Sequence, residues 1–113
     1  MLAWEQLSDS SPTKKAIAQY VRQYEEKFGA GSVSMFGGYM WDAWAQLERA
    51  IPVALKRAQP GTPALRDAIE SGKDVIGVHG VYNLSPSDHF GHDDRSRVLL
   101  RVENGAFKLI NAR

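Results

Sequence analysis

Apolar residues recur at helical spacing early in the chain, after the polar segment Ser8–Ser11. The apolar positions of this first stripe are Ile17, Tyr20, Val21, Tyr24 and Phe28. Intervals of three and four residues place them on one face of a helix. Pro12 suits the first helical position, and Gly29 suits the left-handed conformation that often follows a helix. The pattern predicts a helix that begins near Pro12 and ends at Gly29.

A second stripe follows the apolar run Ser32–Gly38 and extends to about Ala58. Its apolar positions are Met40, Ala43, Trp44, Leu47, Ala50, Ile51, Ala54 and Leu55. We expect this helix to be the longest element, with Trp44 in the core. Pro52 has no amide hydrogen and removes one intrahelical hydrogen bond, so a kink or a break is predicted near Ala50–Ile51.

A third, shorter helix is predicted from Thr62–Pro63, which suit a helix start, to the stop signal Ser71–Gly72. Beyond it, β-branched residues and glycines replace the helical pattern, which indicates short strands. Asn104–Gly105 is a strong two-residue hairpin signal because both positions tolerate positive φ angles. The predicted hairpin has two apolar pairs on one face, Val102 with Phe107 and Leu100 with Leu109.

These elements do not close into complete layers, because the first two helices have no evident sheet to cover. The hairpin also has Leu99 opposite Ile110 on its other face, so both of its faces call for neighbours. The sequence therefore predicts an α/β fold that is part of a larger one. We expect the isolated chain to bury its uncovered faces by dimerisation or strand exchange.

Composition narrows the function classes. The chain has 113 residues, of which 43% are apolar and 24% charged, values typical of one globular domain. Its net charge is +1 without a long run of one sign, so nucleic acid is not a predicted partner. The absence of cysteine excludes disulfides and thiolate chemistry. Met1–Gln6 lacks the basic and apolar regions of a secretory signal.

Candidate chemistry concentrates between Gly77 and Arg95. The polar side chains there include Asn83, Ser85, Ser87, Asp88, His89, His92, Asp93 and Asp94. Histidine and aspartate together suit zinc or iron, and one hypothesis is a small metal-dependent hydrolase that uses Asp88, His89, His92 and Asp93. The spacing His-x-x-His in a loop, with no Glu placed as a base, is more typical of polar turns. We favour the turn.

Two further candidates are weaker. Ser85 or Ser87 with His79 or His89 would supply a nucleophile and a base, but the Gly-x-Ser-x-Gly turn of such enzymes is missing. Tyr39 lies off the apolar stripe at the start of the second helix. An aromatic ring with a polar tip often lines a ligand cleft, although plain packing is the more frequent role.

Two glycines open the second helix. Gly37 and Gly38 resemble a phosphate-cradling helix start, but the rest of such a motif is absent. A close approach of another segment to the backbone is the interpretation that we favour for this pair.

A series of different short motifs runs along nearly the whole chain. They are Leu7-x-Asp9-x-x-Pro12, Tyr20-x-x-x-Tyr24-Glu25, Phe28-Gly29, Trp41-Asp42-Ala43, Ala54-Leu55, Leu65-Arg66-Asp67-Ala68-Ile69, Gly77-x-x-Gly80-Val81-Tyr82-Asn83, Ser85-Pro86-x-Asp88-His89-x-Gly91 and Val102-x-Asn104-Gly105-x-Phe107-Lys108-Leu109. Their order and spacing resemble the C-terminal segment, about a third, of a branched-chain amino-acid (Leu/Ile/Val-type) ABC-transporter periplasmic substrate-binding protein. His92 does not match this pattern.

The resemblance implies a two-lobed type I periplasmic binding protein fold that traps its ligand by hinge closure. Residues from 1 to about 95 would form the last passage through the first lobe and a crossover, and residues from about 96 to 113 the C-terminal hairpin of the second lobe. It implies a receptor rather than an enzyme, with no cofactor. That receptor would capture an amino acid or similar small carboxylate in the periplasm and deliver it to the membrane permease of an ABC importer.

The primary pocket residues of that family come mainly from segments that this chain lacks. We therefore expect the isolated chain to bind its ligand poorly. The positions that we expect at the rim of the cleft in an intact receptor are Tyr39, Ser85, Ser87 and His89. No catalytic or metal-binding residue is implied.

Overall fold

A computed structural model describes residues 3–57 and 61–110. Within these ranges the helices are α1 (Pro12–Phe28), α2 (Met35–Leu55) and α3 (Thr62–Glu70). The strands are β1 (Val75–Ile76), β2 (Val81–Tyr82), β3 (Leu100–Glu103) and β4 (Ala106–Leu109), with short 3-10 turns at Trp4–Gln6 and Asp94–Ser96. The strands form two antiparallel pairs, β1 with β2 and β3 with β4. The predicted order of three helices, short strands and a hairpin is confirmed.

Helix α2 differs from its predicted bounds. It begins at Met35, five residues before Met40, because the Ser34 hydroxyl accepts a hydrogen bond from the Gly37 amide and caps the first turn. The helix continues through Pro52 to Leu55, so the predicted break is wrong. Pro52 has no amide hydrogen, so the helix forgoes the one bond that position 52 would donate to the Glu48 carbonyl, and the loss of that single bond does not end it. The predicted end near Ala58 lies outside the described residues.

Two small clusters hold the helices together. Between α2 and α3, the buried residues are Ala50, Ala54, Ala64 and Ala68. Small side chains let the two helix backbones approach closely, and the Arg49 guanidinium donates to the carbonyls of Ala68 and Ile69 across the same contact. The second cluster joins α1 to the turn after β1, and its buried residues are Ile17, Tyr20 and Val78.

Several large apolar side chains of α2 point away from both clusters. The exposed fractions of Phe36, Met40 and Trp44 are 75%, 71% and 61%. Trp44 is therefore not a core residue, and that prediction is wrong; Trp41 instead packs against Tyr20, with ring centroids 5.5 Å apart. The helix uses small residues and Trp41 for its contacts within this chain and leaves Phe36, Met40 and Trp44 uncovered.

The C-terminal hairpin has the predicted register. Val102 faces Phe107 and Leu100 faces Leu109, across a turn in which Asn104 and Gly105 have φ angles of +51° and +76°. The side-chain amide of Gln6 joins the hairpin to the start of the chain. Its Nε2 donates to the Phe107 carbonyl and its Oε1 accepts from the Leu109 amide, each at 3.0 Å.

Candidate functional site

A tight turn between β1 and β2 forms the centre of the candidate site. The strands pair Val75 with Tyr82 and Ile76 with Val81, and the Gly77 amide donates to the Gly80 carbonyl at 2.8 Å. These contacts leave the amides of Val78 and His79 without partners inside the turn itself, so both need an acceptor from elsewhere.

Asp42, from the second turn of α2, supplies that acceptor and is only 4% exposed. Its Oδ1 accepts from the Val78 amide at 2.6 Å, and its Oδ2 accepts from the His79 amide at 3.0 Å. Oδ2 also lies 3.0 Å from Nδ1 of the His79 ring and accepts from the Tyr82 hydroxyl at 2.8 Å. A buried carboxylate is costly unless such bonds replace its hydration, and here two amides and two side chains do so.

Two glycines make room for this contact. A Cβ at Gly77 would lie 2.5 Å from Asp42 Oδ1, and a Cβ at Gly38 would lie 2.6 Å from Cε1 of His79. Neither position therefore tolerates a side chain without a shift of the buried carboxylate or imidazole. The favoured interpretation of Gly37 and Gly38, a close approach to the backbone, is confirmed, because a Cβ at Gly37 would collide with the Tyr20 hydroxyl.

Aromatic rings surround the Asp42 carboxylate. The Tyr39 ring stacks on the His79 ring, with centroids 4.1 Å apart and planes 15° from parallel. The Tyr82 ring lies 4.4 Å from the His92 ring. Burial, followed by the hydrogen bond and negative charge of Asp42, raises the pKa of Tyr82, while burial lowers the pKa of His92. The Nε2 atoms of His79 and His92 are buried, and neither has a hydrogen-bond partner among the described residues.

Three of the predicted cleft-rim residues lie together in the loop after β2. The Ser85 amide donates to the Asp88 carbonyl at 2.9 Å, and the Ser85 hydroxyl lies 3.3 Å from that of Ser87. The carboxylate of Asp88 accepts from the amides of Phe90 and Gly91, and the Gly91 bond is the main reason that the pKa of Asp88 is lowered. This is the turn that the sequence predicts.

His89 extends from the same loop to α3, where its Nε2 lies 3.0 Å from Oε1 of Glu70. Tyr39, the fourth predicted residue, lies on α2 and is 49% exposed. Among the described residues, no hydrogen bond or ring contact joins Tyr39 to the loop of Ser85, Ser87 and His89. The structure brings three of the four predicted residues together and places the fourth beside His79.

The side chains of the hypothetical metal cluster diverge. Asp93 is bound by the Arg95 guanidinium at 2.6 Å and by the Asn83 amide group, and the hydrogen bond from Arg95 lowers the pKa of Asp93 to about 2. His92 packs on rings, while His89 pairs with Glu70. No three His, Asp or Glu side chains within residues 3–57 and 61–110 are grouped so that they could hold a metal ion. The metal-dependent hydrolase has no structural basis in these residues.

Sequence reasoning did not connect Asp42 with His79 and Tyr82. Asp42 and Tyr82 each lie in one of the short motifs given above, but the two residues are 40 positions apart along the chain. The available signal was the single acidic residue in the otherwise apolar first half of α2, together with glycines at positions 38 and 77 that allow a close contact.

No protein-family model matches the chain, and no curated protein does. Solved structures of extracellular ligand-binding receptors do match it. One, from Rhodopseudomonas palustris, is 43% identical, with a TM-score of 0.77, over 97% of this chain and 32% of the receptor. A second, from strain HaA2, has the same identity and TM-score over 96% of this chain and 32% of the receptor. Another from that strain is 41% identical, with a TM-score of 0.76, over 93% and 30%.

The described part of the chain contains no helix with the length and apolar character that a membrane crossing requires. The α/β architecture of three helices, short antiparallel strands and a hairpin is that of part of a periplasmic binding protein fold. The chain spans about a third of the length of the receptors that it matches. Over nearly all of its own length, this chain is therefore similar to one third of an extracellular ligand-binding receptor.

Proposed function

We propose that the chain is part of a receptor that captures an amino acid or a similar small carboxylate for an ABC importer. The observation that carries the proposal is the identity of 41–43% with extracellular ligand-binding receptors over 93–97% of this chain. The order of motifs described above supports the two finer parts of the proposal, which are a receptor of the branched-chain amino-acid type and its ABC importer. In this proposal the receptor acts in the periplasm and a membrane permease is its partner.

The uncovered face of α2 supports a role as part of a larger receptor. Phe36, Met40, Trp44 and Leu55 are all more than half exposed, and they lie on one side of the helix. Soluble proteins rarely leave an apolar stripe of this kind in water. In an intact receptor this face would pack against the part of the protein that the chain does not span.

We assign residues from 1 to about 95 to the first lobe and a crossover, and residues from about 96 to 113 to the hairpin of the second lobe. The segment from Arg97 to Leu99 has neither helix nor strand, which suits a connection between lobes. The hairpin beyond it leaves Val102 and Phe107 exposed, which suits an element that completes another sheet. The proposed contacts at the cleft rim are Tyr39, Ser85, Ser87 and His89.

A chimeric receptor tests the proposal. The chain replaces the matched third of the receptor from R. palustris HaA2, and calorimetry measures binding of the twenty amino acids and of short carboxylates to the chimera and to the unchanged receptor. We expect the chimera to fold and to bind a solute of this class. A folded chimera that binds none of the solutes bound by the unchanged receptor would contradict the proposal.

The isolated chain is a separate case, and for it we propose a homodimer formed through the α2 face. A buried aromatic side chain contributes roughly 150–250 Å². Phe36 and Trp44, with Met40 and Leu55 beside them, would therefore supply a large apolar part of the roughly 800 Å² per partner that a stable interface buries. Sedimentation at micromolar concentration should show a dimer, and Trp44→Glu should shift it to monomer while Glu26→Gln does not. A well-folded wild-type monomer would overturn this assignment.

A further inference from the structure

His79 connects a buried carboxylate to a half-exposed aromatic ring. On one side its ring Nδ1 and its backbone amide both bond to Oδ2 of Asp42, each at 3.0 Å. On the other side its ring face stacks on Tyr39 at 4.1 Å. Contacts on these two sides leave the imidazole little freedom to rotate, because rotation would break the Nδ1 bond and the stacking at the same time.

The hydrogen bonds also determine which nitrogen of His79 carries the proton. A carboxylate oxygen only accepts hydrogen bonds, so Nδ1 of His79 must be the donor to Asp42. Neutral His79 is then the Nδ1–H tautomer, which leaves a lone pair on its buried Nε2. The tautomer is a spectroscopic signature of this contact, because nothing else among the described residues bonds to the ring nitrogens of His79.

Stacking on the fixed imidazole also restricts the Tyr39 ring. The two rings are 15° from parallel, and Gly38 lets the backbone of α2 lie against the edge of the imidazole, where a Cβ would meet Cε1. The plane of the immobilised imidazole therefore sets the plane of the Tyr39 ring, and Tyr39 as a whole is 49% exposed, so part of it remains available for contact. A ring that is held before binding loses less entropy when a solute packs on it.

We infer that Asp42 is a positioning residue, which holds His79 in one tautomer and orientation and thereby fixes the Tyr39 ring that the receptor presents to its solute. The solute part of this inference rests on the proposed function. The tautomer and the stacking are properties of the chain itself and are tested without a solute.

The first test is NMR of the isolated chain with nitrogen-15 in its histidines. We expect His79 to be the Nδ1–H tautomer at pH 8, with ring protons shifted upfield by the Tyr39 ring. Tyr39→Leu should remove the upfield shift and leave the tautomer unchanged. A wild-type His79 in the Nε2–H tautomer, or one whose protons do not respond to Tyr39→Leu, would overturn the inference without any Asp42 variant.

Variants of the cluster separate positioning from simple stabilisation. Asp42→Asn should abolish both the Nδ1–H preference and the upfield shift of His79 in the folded protein. Tyr82→Phe removes a different hydrogen bond from Asp42, so it should lower stability yet keep both signatures. Asp9→Asn, at an exposed carboxylate paired with Lys14, is the matched control. If Asp42→Asn does not fold, Tyr82→Phe and Tyr39→Leu still decide, because loss of both signatures in Tyr82→Phe would indicate a purely structural role.

The second test uses the chimeric receptor. Asp42→Asn should raise the Kd for its solute by up to about tenfold, the effect of having to order one freed side chain on binding. Asp9→Asn should leave the Kd unchanged. An unchanged Kd in a folded Asp42→Asn chimera would overturn the positioning role. A chimera that binds no solute would instead contradict the proposed function, while the NMR signatures still decide the inference.

Discussion

The contacts around Asp42 and the loop from Ser85 to Arg95 are both rich in polar groups, but they differ in how those groups are bonded. In the loop, Ser85 and Asp88 bond to groups within a few positions, and Asp93 bonds to Arg95 and, ten positions away, to Asn83. Asp88 is exposed, and Ser85 and Asp93 are partly exposed. Asp42 bonds to residues 36 to 40 positions away and is buried. The bonds of the loop hold mainly its own backbone in shape. Asp42 instead holds the turn between β1 and β2 against α2.

This difference predicts unequal costs of mutation. A local bond can be replaced by water when a partner is lost, because the loop is exposed. A lost bond to Asp42 leaves a donor buried, which costs its full desolvation free energy. The four predictions below test this contrast, in order of decreasing effect.

The largest effect is expected from Asp42→Ala. It leaves the amides of Val78 and His79 and the hydroxyl of Tyr82 without their acceptor, and each buried donor left unsatisfied costs about 1–3 kcal/mol. Urea denaturation at fixed protein concentration measures the change. Asp93→Ala, in the loop, should lower the urea midpoint far less. Equal midpoint shifts for the two variants would remove the contrast.

Gly77→Ala should have the next largest effect. The added Cβ would lie 2.5 Å from Asp42 Oδ1, so either the carboxylate or the turn must move. Overpacking of this kind costs about 1–3 kcal/mol. Ser87→Ala, at an exposed loop position, should stay within about 0.5 kcal/mol of the wild type. A Gly77→Ala protein as stable as Ser87→Ala would show that the turn accommodates a methyl group freely.

Asp88→Asn tests the loop directly and should have a small effect at neutral pH. The amide oxygen of asparagine can still accept from the amides of Phe90 and Gly91, so the turn keeps both hydrogen bonds. Amide hydrogen exchange at Phe90 and Gly91 measures retention of the turn. Strong loss of protection, together with a large drop in the urea midpoint, would mean that the loop contributes more to the fold than its local bonds suggest.

The elements predicted well from sequence depend on local interactions. The bounds of α1 follow from Pro12 and Gly29, and the hairpin register follows from Asn104–Gly105. Each of these signals acts within a few residues of the structure that it specifies, so no knowledge of the tertiary fold is needed to interpret it.

The features predicted poorly depend on distant parts of the chain. Spacing showed that α2 has an apolar face, but it did not show that the small residues face α3 and that Trp44 faces outward. The pairing of Asp42 with the Gly77–Gly80 turn is a contact between two elements that are distant in sequence. The local sequence of neither segment specifies it. Polar residues are dense between Ser85 and Arg95 and therefore suggested a functional site, but most of their hydrogen bonds are to groups of their own loop.

The smallest expected effect is a dependence of stability on pH through His92, a loop residue whose ring packs on Tyr82, a partner of Asp42. Burial against Tyr82 and Phe90 lowers the pKa of His92 below the ordinary value of about 6.5 that it has in the unfolded chain. Asp42 and Asp93 oppose this shift, while His79 and Arg97 add to it. Between the folded and unfolded pKa values the unfolded chain binds more protons than the folded chain. The stability that neutral His92 contributes is therefore complete above about pH 6.5 and is lost as the pH falls towards the folded pKa.

Urea midpoints from pH 8 to pH 5 should therefore fall more steeply for the wild type than for His92→Phe, which keeps an aromatic ring but cannot titrate. Parallel pH profiles would show that His92 is as accessible to protons in the folded chain as in the unfolded one, and would place it with the exposed loop rather than with the buried contacts of Asp42.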